Sequence, residues 1–156
     1  MPTATYIALA NYTIAGSAAS TVTFSSIPAT YRDLVLVIQG TANTATNIGI
    51  YPNNDSSNLS GVFAAGNGST TSSGTLSAGQ VGFLYTTIGD VTVNIMDYAV
   101  TDKHKTLLTR ASNAGNQVQM LAGRWASTTA ITSLVLTAFG NTFSIGTTFA
   151  LYGIVS

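Results

Sequence analysis

His104 is the one histidine in this chain of 156 residues, and Asp102 stands two residues before it in the stretch TDKHKT. Residues two apart on a strand share a face. There the carboxylate could orient the imidazole, and a Ser or Thr hydroxyl could complete a hydrolase-like set. No G-x-S-x-G elbow accompanies the pair, and a triad is defined by geometry rather than by spacing. A solvent-exposed loop histidine is the favoured reading. Paired carboxylates for acid–base work are equally thin. The chain has no Glu, and its five Asp residues are spread over turns and strand ends, where Asp is common. No enzymatic activity is expected.

Hard oxygen ligands gather in YPNNDSSNLSG, where Asn53, Asn54, Asp55 and Asn58 are of the kind that calcium uses. One carboxylate without EF-hand spacing favours a plain turn, because Asn, Asp and Ser side chains bond turn backbone. The Gly-rich GNGST neither follows a clear strand nor opens a helix, so it is not a phosphate cradle. Trp125 is the single Trp and follows Arg124. An aromatic face beside a guanidinium could stack a sugar. A packed aromatic in core or interface is favoured, because Trp is highly buried on average. No metal and no cofactor are expected.

The elements that must position these residues read as strands. Strong helix formers other than Ala are scarce, whereas Thr, Val, Ile, Tyr and Phe are plentiful and suit a pleated surface. Strand character runs over Tyr6 to Ala10, Thr21 to Ser25, Asp33 to Gln39, Asn47 to Tyr51, Val81 to Thr87, Val91 to Ala99, Gln117 to Arg124, Ile131 to Phe139 and Thr147 to Val155. Gly, Asn, Ser and Pro clusters separate them, and Gly89-Asp90 and Phe139-Gly140-Asn141-Thr142 read as hairpin links. Ala64 to Gln80 reads as a flexible surface loop, or an arm that orders against a neighbouring subunit or a host surface. Many short strands with no helical pattern between them predict a single all-β domain over 1–156, an antiparallel sandwich or barrel.

Composition narrows the partners. Charged residues make up 6% of the chain against 46% hydrophobic, and the net charge is zero. Five basic residues make a poor phosphate-neutralising surface, so nucleic acid is not expected. The longest strongly apolar run, Leu34 to Ile38, is far short of a membrane span. The N-terminus lacks a basic n-region and an apolar block, so no signal peptide is expected. Cysteine is absent, which removes disulfides, thiolate metal sites and thiol nucleophiles. A neutral surface repels its own copies little, which suits a protein that works assembled. Two strands are apolar on both alternating faces. One is Leu34 to Ile38. In the other, Phe149 and Leu151 point one way and Ala150, Tyr152 and Ile154 the other. Their second faces predict burial against a loop, a subunit or another sheet edge.

Four segments in order, SSIPATYRDLVLVIQG, IGIYPNNDSSNLSG, IMDYAVTDKHKT and GRWASTTAITSLVLTAFGNTFSIGTTFALYGIVS, resemble a family of small tailed-phage virion proteins. Its members are similar in an I-P-x-x-Y-x-D-L segment, an Asn/Asp turn before mid-chain and a closing G-(S/T)-x-F-x-L-Y-G-(I) strand. Leu59 departs from the pattern, standing where an aromatic is expected. The resemblance covers nearly the whole chain. It implies a jelly-roll-like β-sandwich, a virion location after synthesis in the host cytoplasm, and assembly as a homotrimer or on a symmetric scaffold, without catalysis. The implied role is a capsid decoration (cement) protein binding the major capsid protein between capsomers. The alternative is a tail-fibre or head-fibre module that binds host-surface glycan.

Within the first segment, scarce charge stands at the mouth of the most apolar run. Ile27-Pro28 fixes an extended approach, and Tyr31 offers a ring to lay against the sandwich end. Asp33 is expected to bind turn N–H groups, and Arg32 carbonyls or an acidic partner, because charges beside apolar surface need partners. The pair would mark the strand's start and oppose register slip. The structural and interface candidates are therefore Pro28, Tyr31, Arg32, Asp33, Trp125, Phe149 and Tyr152.

Overall fold

Alternation of buried and exposed side chains organises the computed structural model, which describes residues 4–76, 78–113 and 115–155. Those residues form twelve strands and no helix: β1 (Tyr6–Thr13), β2 (Thr21–Phe24), β3 (Asp33–Gly40), β4 (Thr46–Pro52), β5 (Leu59–Gly66), β6 (Thr71–Leu76), β7 (Gln80–Leu84), β8 (Gly89–Met96), β9 (Lys105–Asn113), β10 (Gln117–Trp125), β11 (Leu134–Ala138) and β12 (Thr148–Ile154). They pair in two antiparallel sheets, ordered β1-β12-β3-β8-β9-β10-β5-β6 and β2-β11-β4-β7.

The pairing order defines a jelly roll. The first strand lies beside the last, the second beside the last but one, and β3 and β4 follow inward on β12 and β11. Strands β8 and β7 close the two four-stranded layers. Two hairpin excursions widen one layer. β9 and β10 extend outward from β8, and β5 and β6 from β10, so that layer reaches eight strands. Alternating positions feed one core. Leu34, Leu36 and Ile38 of β3 meet the inner faces of Val91, Val93 and Ile95 of β8, while Ile48 and Ile50 of β4 and Leu134 and Leu136 of β11 face them from the small sheet. Phe143 and Phe149 cross edge to face at 4.9 Å within it.

Three strands lie where the sequence reading had none. β5 and β6 form a hairpin across most of Ala64 to Gln80, so that stretch is sheet and not a flexible loop; Ser77 within it lies outside the described residues. Its Gly, Ser and Thr residues bury little, and backbone pairing to β10 holds it. β9 begins one residue after His104. Two expected hairpin links also differ. Gly89-Asp90 begins β8, and Phe139 to Thr142 carries the chain from the small sheet to the large one. The hairpins are instead β5–β6, β8–β9 and β9–β10.

Candidate functional site

At one end of the sandwich, Tyr98 is the hub that sequence reasoning missed. It stands two residues beyond the end of β8 and is fully buried. Its hydroxyl donates to the Pro28 carbonyl and accepts the Tyr31 N–H at 3.3 Å. Burial pushes its phenol above the ordinary range. Tyr31 lies flat over Gly153 of β12, where an added Cβ would fall 2.6 Å from ring Cδ2. Asp33 opens β3, accepts the Asp97 N–H at 2.9 Å through Oδ1, and accepts Arg32 Nε–H at 2.7 Å through Oδ2. Asp97 holds positive φ (51°), which turns the chain out of β8, and it pairs with Lys103 at 3.0 Å. The residues around Arg32 and Asp33 thus tie loops to strand ends.

The Asn/Asp turn is a second structural lock. Asn53 and Asn54 both adopt positive φ, which Asn tolerates better than most residues. Asn53 Oδ1 accepts the N–H groups of Thr132 (2.9 Å) and Ser133 (3.2 Å), and its Nδ2 donates to the Ala130 carbonyl. Asp55 accepts Ser57 N–H, Asn58 Nδ2–H and Trp125 Nε1–H, each at 2.8 Å. The Asn58 amide above all, then the indole and the Ser57 N–H, hold the carboxyl at about 2, below its ordinary 3.8. The side-chain oxygens of Asn53 and Asp55 are thus turned to protein donors of the turn and its neighbours. Trp125 is 2% exposed, so its faces pack in the core and offer no platform to a sugar.

Asp102 lies in a bend and His104 in the link just before β9, neither on a strand, so the shared-face premise fails for them. Both are exposed, and no hydrogen bond joins them among the described residues. Their neighbour Lys105 is the unexpected one. Its side chain is fully buried, with Nζ donating to the carbonyls of Val100 (2.6 Å), Lys103 (3.0 Å) and Thr128 (3.3 Å). Burial pulls its ammonium below the usual lysine value, and all three N–H groups are used, so it ties loops together. The space between β5, β7 and β10, lined by Leu59, Val81 and Leu121, measures about 10 Å³, room for about one water.

What remains is surface. Among the described residues, no layer covers the outer face of the eight-stranded sheet. Paired positions run across it in rows: Ala8, Tyr152, Val35, Asn94, Leu108, Ala122, Val62 and Thr75 form one, and Ala150, Val37, Thr92, Arg110, Met120, Ala64 and Ser73 the next. Tyr6, Val62, Leu108, Val118 and Met120 stand 42–70% exposed on it. Tyr6 meets Tyr152 edge to face at 6.5 Å. A groove of about 480 Å³ crosses the centre, lined by Tyr6, Val35, Val37, Asn94, Leu108 and Arg110 among others. Of the seven candidates, Tyr152 lies within this face and Asp33 at its rim; Phe149 and Trp125 are core, and Pro28, Tyr31 and Arg32 cluster with Asp33 at the sandwich end. The apolar second faces of β3 and β12 were the legible signal for it, whereas Leu108, Met120 and Val62 sit on strands whose alternation is easy to miss. The two edges of the sheet differ. β1 carries a bulge between Ala8 and Ala10, while β6 is exposed, with neither charge nor proline. No protein-family model matches this chain, and neither a curated protein nor a solved structure does.

Proposed function

We propose that this chain is a phage virion structural protein that works by surface contact and not by catalysis: a capsid decoration protein that binds between capsomers and stabilises the capsid. The open outer face of the large sheet carries this reading. A contiguous apolar area on a neutral, tightly tied jelly roll suits docking on one fixed partner, and jelly rolls serve viral capsids among other uses. The resemblance to small tailed-phage virion proteins supports the same role. Self-association, with three copies as the expected number, accompanies it. The low charge favours it, and the bare β6 edge is a template for strand pairing.

A cement protein adds binding free energy to the assembled state and none to the disassembled one, so it stabilises particles by mass action. Particles lacking the chain are expected to assemble yet break at lower temperature or in lower salt, with adsorption to host cells unchanged. Sedimentation at micromolar concentration is expected to give a mass near three chains.

The alternative reading, a tail-fibre or head-fibre module for host glycan, draws on the central groove, where Tyr6 stands near the polar groups of Asn94 and Arg110. Particles without the chain that kept their heat resistance and lost host binding would establish that reading and overturn the first.

A further inference from the structure

Resting on that reading, we infer that the outer face of the large sheet is the docking surface, and that its occupant is a partner protein presenting carboxylates on an apolar surface. Charge accounting points there. The chain has five Lys and Arg residues. Arg32 is bonded to Asp33, Lys103 to Asp97, and Lys105 to three carbonyls. The other two, Arg110 and Arg124, are exposed, and neither forms an ion pair among the described residues. Both project from the outer face. They sit on adjacent strands and four residues apart in register, because Arg110 pairs with Met120. At a rise of about 3.4 Å per residue and a strand spacing of about 4.8 Å, they stand about 14 Å apart.

Around them the face is apolar, with Leu108, Val62, Val118 and Met120 exposed. Arg and Met are enriched at protein interfaces, and a flexible Met adapts to the surface it meets. Eight strands at about 4.8 Å spacing and about eight residues long give a face of roughly 800–1,000 Å². That matches the roughly 800 Å² per partner of a standard interface, and it exceeds what one bound sugar would cover. A second copy fits poorly. It would bring two more guanidinium groups, while the carboxylates on this face, Asp33 and Asp90, already accept from Arg32 and Ser112. The partner must therefore supply the negative charge, and the trimer forms through other surfaces.

The probe is the particle made without the chain, with purified full-length protein added back. Wild type is expected to rebind. R110E/R124E is expected to lose tenfold or more in affinity, as is M120D, because unpairing or misplacing a charge in a desolvated interface is costly. T23E, on the outer side of β2 in the small sheet, is expected to rebind like wild type. Circular dichroism and thermal melts confirm that each variant folds. If wild type fails to rebind, the decoration reading itself fails. Rebinding of wild type with less than a tenfold loss for both face variants overturns this inference and leaves that reading standing. Two other results also overturn it: dissociation of the free oligomer by the face variants, which makes the occupant a second copy, or lost binding to host glycan with particle binding intact.

Discussion

Trp125 Nε1 donates to Asp55 Oδ2 at 2.8 Å, joining the last residue of β10 to the turn that follows β4. Sequence spacing nominates the two for unrelated chemistries, sugar stacking and calcium ligation. Bonded to each other, they form one structural contact instead. The indole closes the core beside Leu59 and Lys105, its cross-strand neighbours. Its N–H would otherwise be buried without an acceptor, and the carboxylate supplies one.

Replacing Trp125 by Ala is expected to cost about 3–5 kcal/mol, the range for a buried aromatic. Trp125→Phe keeps most of the packing and removes only the donor, so its cost is smaller. Combined with Asp55→Asn, Trp125→Phe is expected to be non-additive, because both changes act on one bond. Urea midpoints at unchanged slope measure this. Strict additivity would show that the bond contributes nothing.

The same carboxyl sets an acid limit. Its folded pKa of about 2 lies below the ordinary 3.8. The folded state therefore binds this proton more weakly than the unfolded chain does. The contribution is complete above about pH 4 and is lost as pH falls toward about 2. Melting temperatures of wild type and Asp55→Asn are expected to converge across that window. Parallel curves down to pH 2 would count against the three donors as the cause.

Gly153 is required by a neighbour and not by its own backbone. An added Cβ would clash with the face of the Tyr31 ring, 2.6 Å from Cδ2. Tyr31 is held in turn through its N–H to the Tyr98 hydroxyl. Gly153→Ala is expected to destabilise by about 1–3 kcal/mol, the range for overpacking. In a Tyr31→Ala background the same change is expected to cost much less. Equal costs in both backgrounds would place the strain elsewhere.

These contacts mark how far the sequence reads. β3 and β12 are legible because branched and aromatic residues fill both their faces, and the Arg32-Asp33 step coincides with the start of β3. β5 and β6 are not, since LSGVFAAG and TSSGTL hold their place by backbone pairing, which leaves little pattern in small side chains. Strand order is hidden for a different reason. A jelly roll pairs its first strand with its last, and no local signal reports contacts so distant in the chain. The locks at Tyr98 and Asn53 likewise join residues about 70 to 80 positions apart.

Lys105 is the hardest case, because Lys is almost never fully buried unless paired. In KTLLTRASN the inward positions are Lys105, Leu107, Thr109, Ala111 and Asn113, a set whose polar members obscure the period of two. The ammonium earns its place through the carbonyls of Val100, Lys103 and Thr128. Lys105→Met preserves the stem and strips those three acceptors of their donor. With loop carbonyls partly able to reach water, the expected cost is about 2–3 kcal/mol, within the range for orphaned acceptors. The loss is expected to be local as well as global. Amide exchange should quicken in residues 100–104 and 126–130, the loops that Lys105 ties together, more than in β3 or β12. An unchanged urea midpoint with unchanged loop protection would show that the carbonyls find water as readily as they find the ammonium.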